Sequence, residues 1–242
     1  MVPPVATNTL PRTGPASARR TTVFLKMVMA VSGALFVLYV LLHMYGNLKI
    51  FSGVEAFDHY AESLRTLLTP ILPVGGVLWL LRALLIVSVV AHVWAAAQLW
   101  RRANGARSNR YFAKEAARAA LTSKAMRWGG IALLLFVIWH LLQFTIVKFN
   151  VGPDAAAGNS VGALVISSFQ VWWVALIYLL AMIALGMHLY HGVFSASQTL
   201  GWSTTAKARA RARATATVIA LVVAVGFILP PLAILFGIVK GN

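Results

Sequence analysis

The chain has 242 residues, of which 60% are hydrophobic and 11% charged, whereas a soluble domain carries roughly 25% charged residues. A water-soluble core of this length cannot hide such an apolar surplus, so the composition points to an integral membrane protein. The 21 Lys and Arg against 5 Asp and Glu give a net charge of +16. In a soluble chain that balance would suggest nucleic acid; in a membrane protein it asks which loops carry the charge, and no nucleic-acid partner is expected. Cysteine is absent, which excludes disulfides, thiolate-bound zinc, iron–sulfur ligation by this chain and covalent c-type haem attachment.

Residues 1–20, with Arg12, Arg19 and Arg20 among Pro, Thr, Ser and Ala, read as a mobile cytoplasmic tail. Arg19-Arg20 ahead of Phe24-Leu25-Lys26 is loosely like a twin-arginine export signal. Its spacing differs, however, and no small-residue cleavage site follows, so the first apolar stretch is expected to remain as an uncleaved helix. Residues 21–242 form one membrane domain with five spans at about 24–46, 71–99, 125–148, 168–198 and 214–239, each near the ~20 residues that cross hydrocarbon as a helix. The expected fold is an all-α integral membrane protein of five transmembrane helices, the first four in an up-and-down bundle. Residues 54–68 place Phe57, Tyr60, Leu64 and Leu67 at helical spacing and suggest an amphipathic surface helix, and 110–121 could form another.

The loops predict a direction. Arg12, Arg19, Arg20 and Lys26, the eight bases between Arg101 and Arg127, and Lys207, Arg209, Arg211 and Arg213 fall on one side. Only Lys49, Arg65, Lys148 and Lys240 fall on the other, with Glu55, Asp58, Glu62 and Asp154. Sixteen bases against four put the N-terminus in the cytoplasm and the C-terminus outside, in a multi-pass protein of a bacterial cytoplasmic membrane. Trp100, Trp128 and Trp202 would mark the inner interface, and Trp172 and Trp173 the outer one. The basic loops would serve topology and anionic lipid, or dock a cytoplasmic partner.

Five of the six histidines fall inside spans: His43, His92, His140, His188 and His191. Ionisable residues are costly there and mark function. At ~1.5 Å rise per residue, His43 and His140 lie roughly 24–28 Å from the inner starts of their helices. By the same rise, His92 and His188 lie roughly 12–15 Å from the inner ends of theirs. An alternating bundle thus pairs His43 with His140 and His92 with His188. The separations of 49, 48 and 48 residues suggest a diverged tandem repeat. Two facing imidazoles at each of two depths suit the axial positions of two non-covalent haems b. The spans contain no Asp or Glu, which a metal transporter or proton pathway would need.

The quinol-oxidising cytochrome of the bc complexes is a rival design, but its ligand helices carry two histidines about four turns apart. His188 and His191 stand three residues apart on one face and cannot serve two distant haems. Arg82 is the single charged residue deep in a span. It lies roughly 15 Å along the helix from His92, expected between the two haem levels, where a guanidinium could clamp propionates. Gly33, Gly129, Gly130 and Gly186 would leave room for flat porphyrins or for helix packing.

His43-Met44-Tyr45-Gly46-Asn47-Leu48, Arg82 with His92, and His188-Leu189-Tyr190-His191-Gly192 followed by Ser195-Ala196-Ser197-Gln198-Thr199-Leu200-Gly201 resemble the dihaem cytochrome b anchor of bacterial succinate dehydrogenases and fumarate reductases, the single-subunit five-helix type. The resemblance covers nearly the whole chain after residue 20. It implies an iron–sulfur subunit and a flavoprotein subunit on the cytoplasmic face, which carry the iron–sulfur clusters and FAD. Electrons from succinate would then reach the inner haem (His92 and His188), the outer haem (His43 and His140) and a quinone, with menaquinone expected. The family motif and the repeat favour His188 as ligand; His191 would then contact a propionate, and the reverse assignment stays open. Some members of the family use an acid near the outer end, where Glu62, Asp58 and His59 are the candidates for a quinone and proton site; a quinone beside the inner haem is the alternative. Other classes are a cytochrome b for a hydrogenase or formate dehydrogenase, and a haem-free anchor or transporter.

Overall fold

The computed structural model describes residues 21–105, 114–147, 151–152 and 160–241, and over 114–123 the backbone alone. The tail 1–20, Arg107, Arg110, Lys148 and Asp154 lie outside the described residues, as does the start of the helix expected over 110–121. Among the described residues the chain is all-α, with no strand. The helices are α1 (Thr22–Leu48), α2 (Val54–Arg65), α3 (Gly76–Gly105), α4 (Lys114–Leu141), α5 (Val161–Phe169), α6 (Trp172–Thr199) and α7 (Ala206–Leu235). A 3-10 turn (Lys49–Ser52) extends α1, and a π-helical turn (Leu142–Ile146) extends α4. Five helical segments are long and apolar enough to cross a membrane: Thr22–Ser52, Gly76–Gly105, Lys124–Ile146, Trp172–Thr199 and Ala206–Leu235.

Three span boundaries differ from the sequence reading, each for a local reason. The second span starts at Gly76 rather than 71 because Pro70 and Pro73 hold the approach in turns. The fourth divides: Val161–Phe169 is a separate helix, and α6 begins only after an extended Val171. The apolarity of 164–169 comes from burial against protein. The fifth starts at Ala206, where the Thr205 hydroxyl accepts from the Ala208 N–H at 3.1 Å. Alternating Ala and Arg from there are strong helix formers, and their charge does not interrupt the helix. Both late helices stop at a glycine. Gly201 (φ 77°) and Gly237 (φ 68°) take the left-handed conformation. In the closing pairs of bonds, Trp202 N–H donates to Ser197 O at 2.9 Å and Ile238 N–H to Ala233 O at 2.8 Å.

Around the bundle, α3 packs on α1, α1 on α6 and α6 on α4, while α7 lies along α6 and α1. The diagonals α1–α4 and α3–α6 make at most marginal backbone contact. The outward faces are apolar and exposed, as at Leu42, Val87, Leu135, Ile183 and Leu221, which suits lipid as the surrounding solvent. At one end of the bundle α2 and α5 pack on each other, and Ile50, Phe57, Val165, Ile166, Phe169, Val174 and Ile234 form a buried cluster with Tyr178. At the other end gather basic side chains. Arg102 donates to the Thr22 hydroxyl at 3.0 Å, Arg127 lies 5.3 Å over the Trp100 ring, and Arg213 lies 5.2 Å over Phe194.

Gly226 of α7 packs against α1 so closely that a Cβ there would collide with the Met44 side chain. Gly226→Leu should therefore cost about 1–3 kcal/mol by overpacking. A lower midpoint of thermal unfolding in detergent, at unchanged helix content by circular dichroism, is the expected result.

Candidate metal centres

Four of the five long helices, α1, α3, α4 and α6, bring histidines together in pairs. The His43 and His140 rings meet with centroids 5.8 Å apart, across the α1–α4 diagonal. The His92 and His188 rings meet at 6.2 Å, across the α3–α6 diagonal. These are the two pairs that the depth argument put together. His188 is thus the member of the His188/His191 couple whose ring faces His92, while His191 is half-buried one turn further along α6.

The separation of the two levels can be read on three helices. On α1, Ser32 touches His92 and stands eleven residues before His43. On α4, Gly130 adjoins His188 and stands ten residues before His140. On α6, Tyr178 touches His140 and stands ten residues before His188. Each spacing converts to roughly 15 Å along the bundle.

Two imidazoles on opposite sides of one metal ion, with bonds of about 2 Å and roughly 1 Å more from nitrogen to ring centre, have centroids about 6 Å apart. Both pairs are at that separation as they stand. Among the described residues no group of three His, Cys, Asp or Glu is assembled. Two nitrogens are half the set a tetrahedral ion takes, but they are the complete axial set for an iron whose other ligands come from a porphyrin.

Neighbouring side chains hold the rings. Ser32 Oγ lies 3.0 Å from His92 Nδ1. Tyr178 Oη lies 3.3 Å from His140 Nδ1 and donates to Gln143 Oε1 at 2.9 Å. Gln143, in the π-helical turn, is fully buried. The Tyr39 ring stacks on His43 at 5.4 Å, and Phe227 of α7 closes on the same ring at 5.7 Å. Small residues stand beside the other pair: a Cβ on Gly33 would be 3.6 Å from His92 Cε1, and one on Gly130 would be 3.8 Å from His188 Cε1. Gly186 instead packs α6 on α7, against Ala224 and Ala220, and Gly129 has nothing within 4 Å.

Arg82 does not sit between the levels, which corrects the expectation above. Since α1 and α3 are antiparallel and Ser32 meets His92, ten residues back along α3 corresponds to ten residues forward along α1. That places Arg82 level with Leu42 and His43. Its side chain is exposed, stacks over Trp79 at 4.9 Å and lines a cleft of about 250 Å³ with Arg65, Val74, Gly75 and Leu78.

The three candidates at the far end sit on α2 and have different surroundings. Asp58 Oδ1 accepts from the Gly162 N–H at 2.8 Å and so ties α2 to the first turn of α5. Glu62 is exposed, 3.6 Å from Arg65, and His59 is exposed one helical turn before it. The structure does not bring the three together. Sequence reasoning missed Ser32, Tyr178, Gln143 and Phe227. Helical arithmetic outward from each histidine could have proposed Ser32 and Tyr178, since each lies at the depth of a histidine on a neighbouring helix.

No protein-family model, curated protein or solved structure matches the chain.

Tyr178→Phe removes the hydroxyl that serves both His140 and Gln143, leaving a buried amide oxygen without its donor. The expected cost is about 1–3 kcal/mol, seen as a lower unfolding midpoint in detergent.

Proposed function

We propose that this chain is the membrane anchor and cytochrome b subunit of a bacterial succinate:quinone oxidoreductase, holding two haems b. The observation that carries the reading is the pair of diagonal histidine contacts roughly 15 Å apart along the bundle, each spaced for axial ligation. The motif resemblance then selects among membrane cytochromes. His43, His140, His92 and His188 would hold the haems, which would supply one-electron carriers.

The chain's own residues do the rest. His92 and His188 hold the group nearer the basic end, and His43 and His140 hold the one nearer α2 and α5. Tyr178 and Ser32 orient their imidazoles, and Phe227 and Tyr39 exclude water from His43. The bases at one end favour the cytoplasmic side by the positive-inside rule and present a docking face to an iron–sulfur subunit and its flavoprotein. At the opposite end, Glu62 is the one of the two candidate acids that stays open to proton exchange with a quinone, since the Asp58 carboxylate is engaged by α5.

The reduced-minus-oxidised absorption spectrum of the purified chain tests the reading directly, with two low-spin haems b per chain expected. His43→Ala and His140→Ala should abolish the same haem, and His92→Ala and His188→Ala the other. Loss of the second haem in His191→Ala with a normal spectrum in His188→Ala would reverse the ligand assignment. A spectrum without haem sinks the cytochrome. Haem without a co-purifying flavoprotein carrying covalent FAD would instead favour a cytochrome of a different dehydrogenase. In the assembled complex, Glu62→Gln should reduce succinate:quinone activity with both haems intact, and full activity would remove Glu62 from the quinone site.

A further inference from the structure

Ser32 is a buried polar side chain, 4% exposed, on a membrane-length helix. Its hydroxyl has one proton. The Val28 carbonyl, one turn back, takes that proton at 2.7 Å, with the Met29 carbonyl 3.3 Å away on the same side. The oxygen keeps its lone pairs, and His92 Nδ1 lies 3.0 Å from it. With the serine proton committed to the backbone, the proton in that contact belongs to the imidazole. A neutral imidazole carries one N–H, so a proton on Nδ1 leaves the lone pair on Nε2.

The partner ring lacks this anchor. His188 Nδ1 is buried with no hydrogen-bond partner among the described residues. The two halves of the bundle explain the difference. Gly33 and Gly130 occupy matching places beside His92 and His188, and they are 97 residues apart. The position 97 residues beyond Ser32 is Gly129, which has no hydroxyl to offer.

We propose that Ser32 is a positioning residue that fixes His92 in the Nδ1–H tautomer and leaves Nε2 as its metal-facing nitrogen. The tautomer follows from hydrogen bonds of this chain alone; its effect on a bound iron rests on the cytochrome reading above. An imidazole that donates its second N–H to a fixed acceptor is a more basic ligand. It favours the oxidised iron and lowers the potential of that centre relative to a ligand without the acceptor.

Two measurements on the full-length chain test this. The first is the nitrogen-15 spectrum of histidine-labelled protein reduced with dithionite, in which low-spin ferrous haem is diamagnetic, and it also serves protein without haem. The His92 signals, identified by their loss in His92→Gln, should show the proton on Nδ1. In Ser32→Ala the Nδ1 signal should lose its hydrogen-bond shift, and Ser32→Thr, which keeps a hydroxyl, should restore it. The second is a potentiometric titration, where Ser32→Ala should raise one of two midpoint potentials and leave the other in place. A proton on Nε2 in the wild type overturns the proposal, as does an unchanged Nδ1 signal in a folded Ser32→Ala. Absence of haem would defeat the cytochrome reading while the nitrogen-15 result still decides the tautomer.

Discussion

An imidazole in the interior of a lipid-embedded bundle has two ring nitrogens and no bulk water to satisfy them, and leaving a buried polar group unpaired costs roughly 1–3 kcal/mol. Four such rings occupy this bundle, and much of its design follows from that constraint. For His92 and His140 one nitrogen meets a hydroxyl on a neighbouring helix, Ser32 or Tyr178. Each ring is also turned toward a second histidine across a diagonal. Such an arrangement requires that the diagonal helices stay apart while neighbouring helices pack closely, and close packing is observed for α1–α3, α1–α6 and α4–α6. It also requires small residues where the rings of one pair approach other helices, met by Gly33 and Gly130.

The remaining elements can be understood as enclosure. α2 and α5 cover the end of the bundle nearest His43 and His140, and Asp58 joins them through the Gly162 N–H. α7 has no histidine, but its Phe227 closes on the His43 ring, and its Gly226 lets α1 approach closely at Met44. Pro230 and Pro231 cannot donate to the carbonyls one turn earlier, on Gly226 and Phe227. Both prolines are buried against protein, where neighbouring helices support a span that lacks these two bonds.

Much of the fold was legible in the sequence because the membrane permits so few backbone solutions. The five apolar stretches, the α2 helix and the two histidine pairs were all found from spacing alone. The limits came where burial in protein and burial in lipid leave the same apolar signature. Ser168 and Phe169 read as the start of the fourth span, yet they belong to α5 and are covered by protein. Charge misled in the other direction, since Arg209, Arg211 and Arg213 lie within α7 despite reading as a loop. Of the candidate site, the ring partners were legible through helical rise, whereas Ser32 and Tyr178 were not. A serine or tyrosine in an apolar span is common, and only the three-dimensional register shows which one meets a ring nitrogen. Arg82 shows the same limit: its distance from His92 was right, but its level depended on the antiparallel register with α1.

The 48-residue spacing of the histidines acquires a structural meaning in this register. α1–α2–α3 and α4–α5–α6 are each a long helix, a short helix and a long helix, and His92 and His188 both stand sixteen residues into their helices. Each pair therefore joins equivalent residues of two halves. The symmetry stops at the residues around them. Ser32 has Gly129 as its counterpart, and Tyr178, 96 residues after Arg82, has a guanidinium in its place in the first half. A repeated bundle with identical surroundings would give two identical groups nearly equal affinity for an electron. Unequal hydroxyls, aromatic rings and one displaced cation make the surroundings of the two levels electrostatically different, so two groups held as proposed would differ in that affinity.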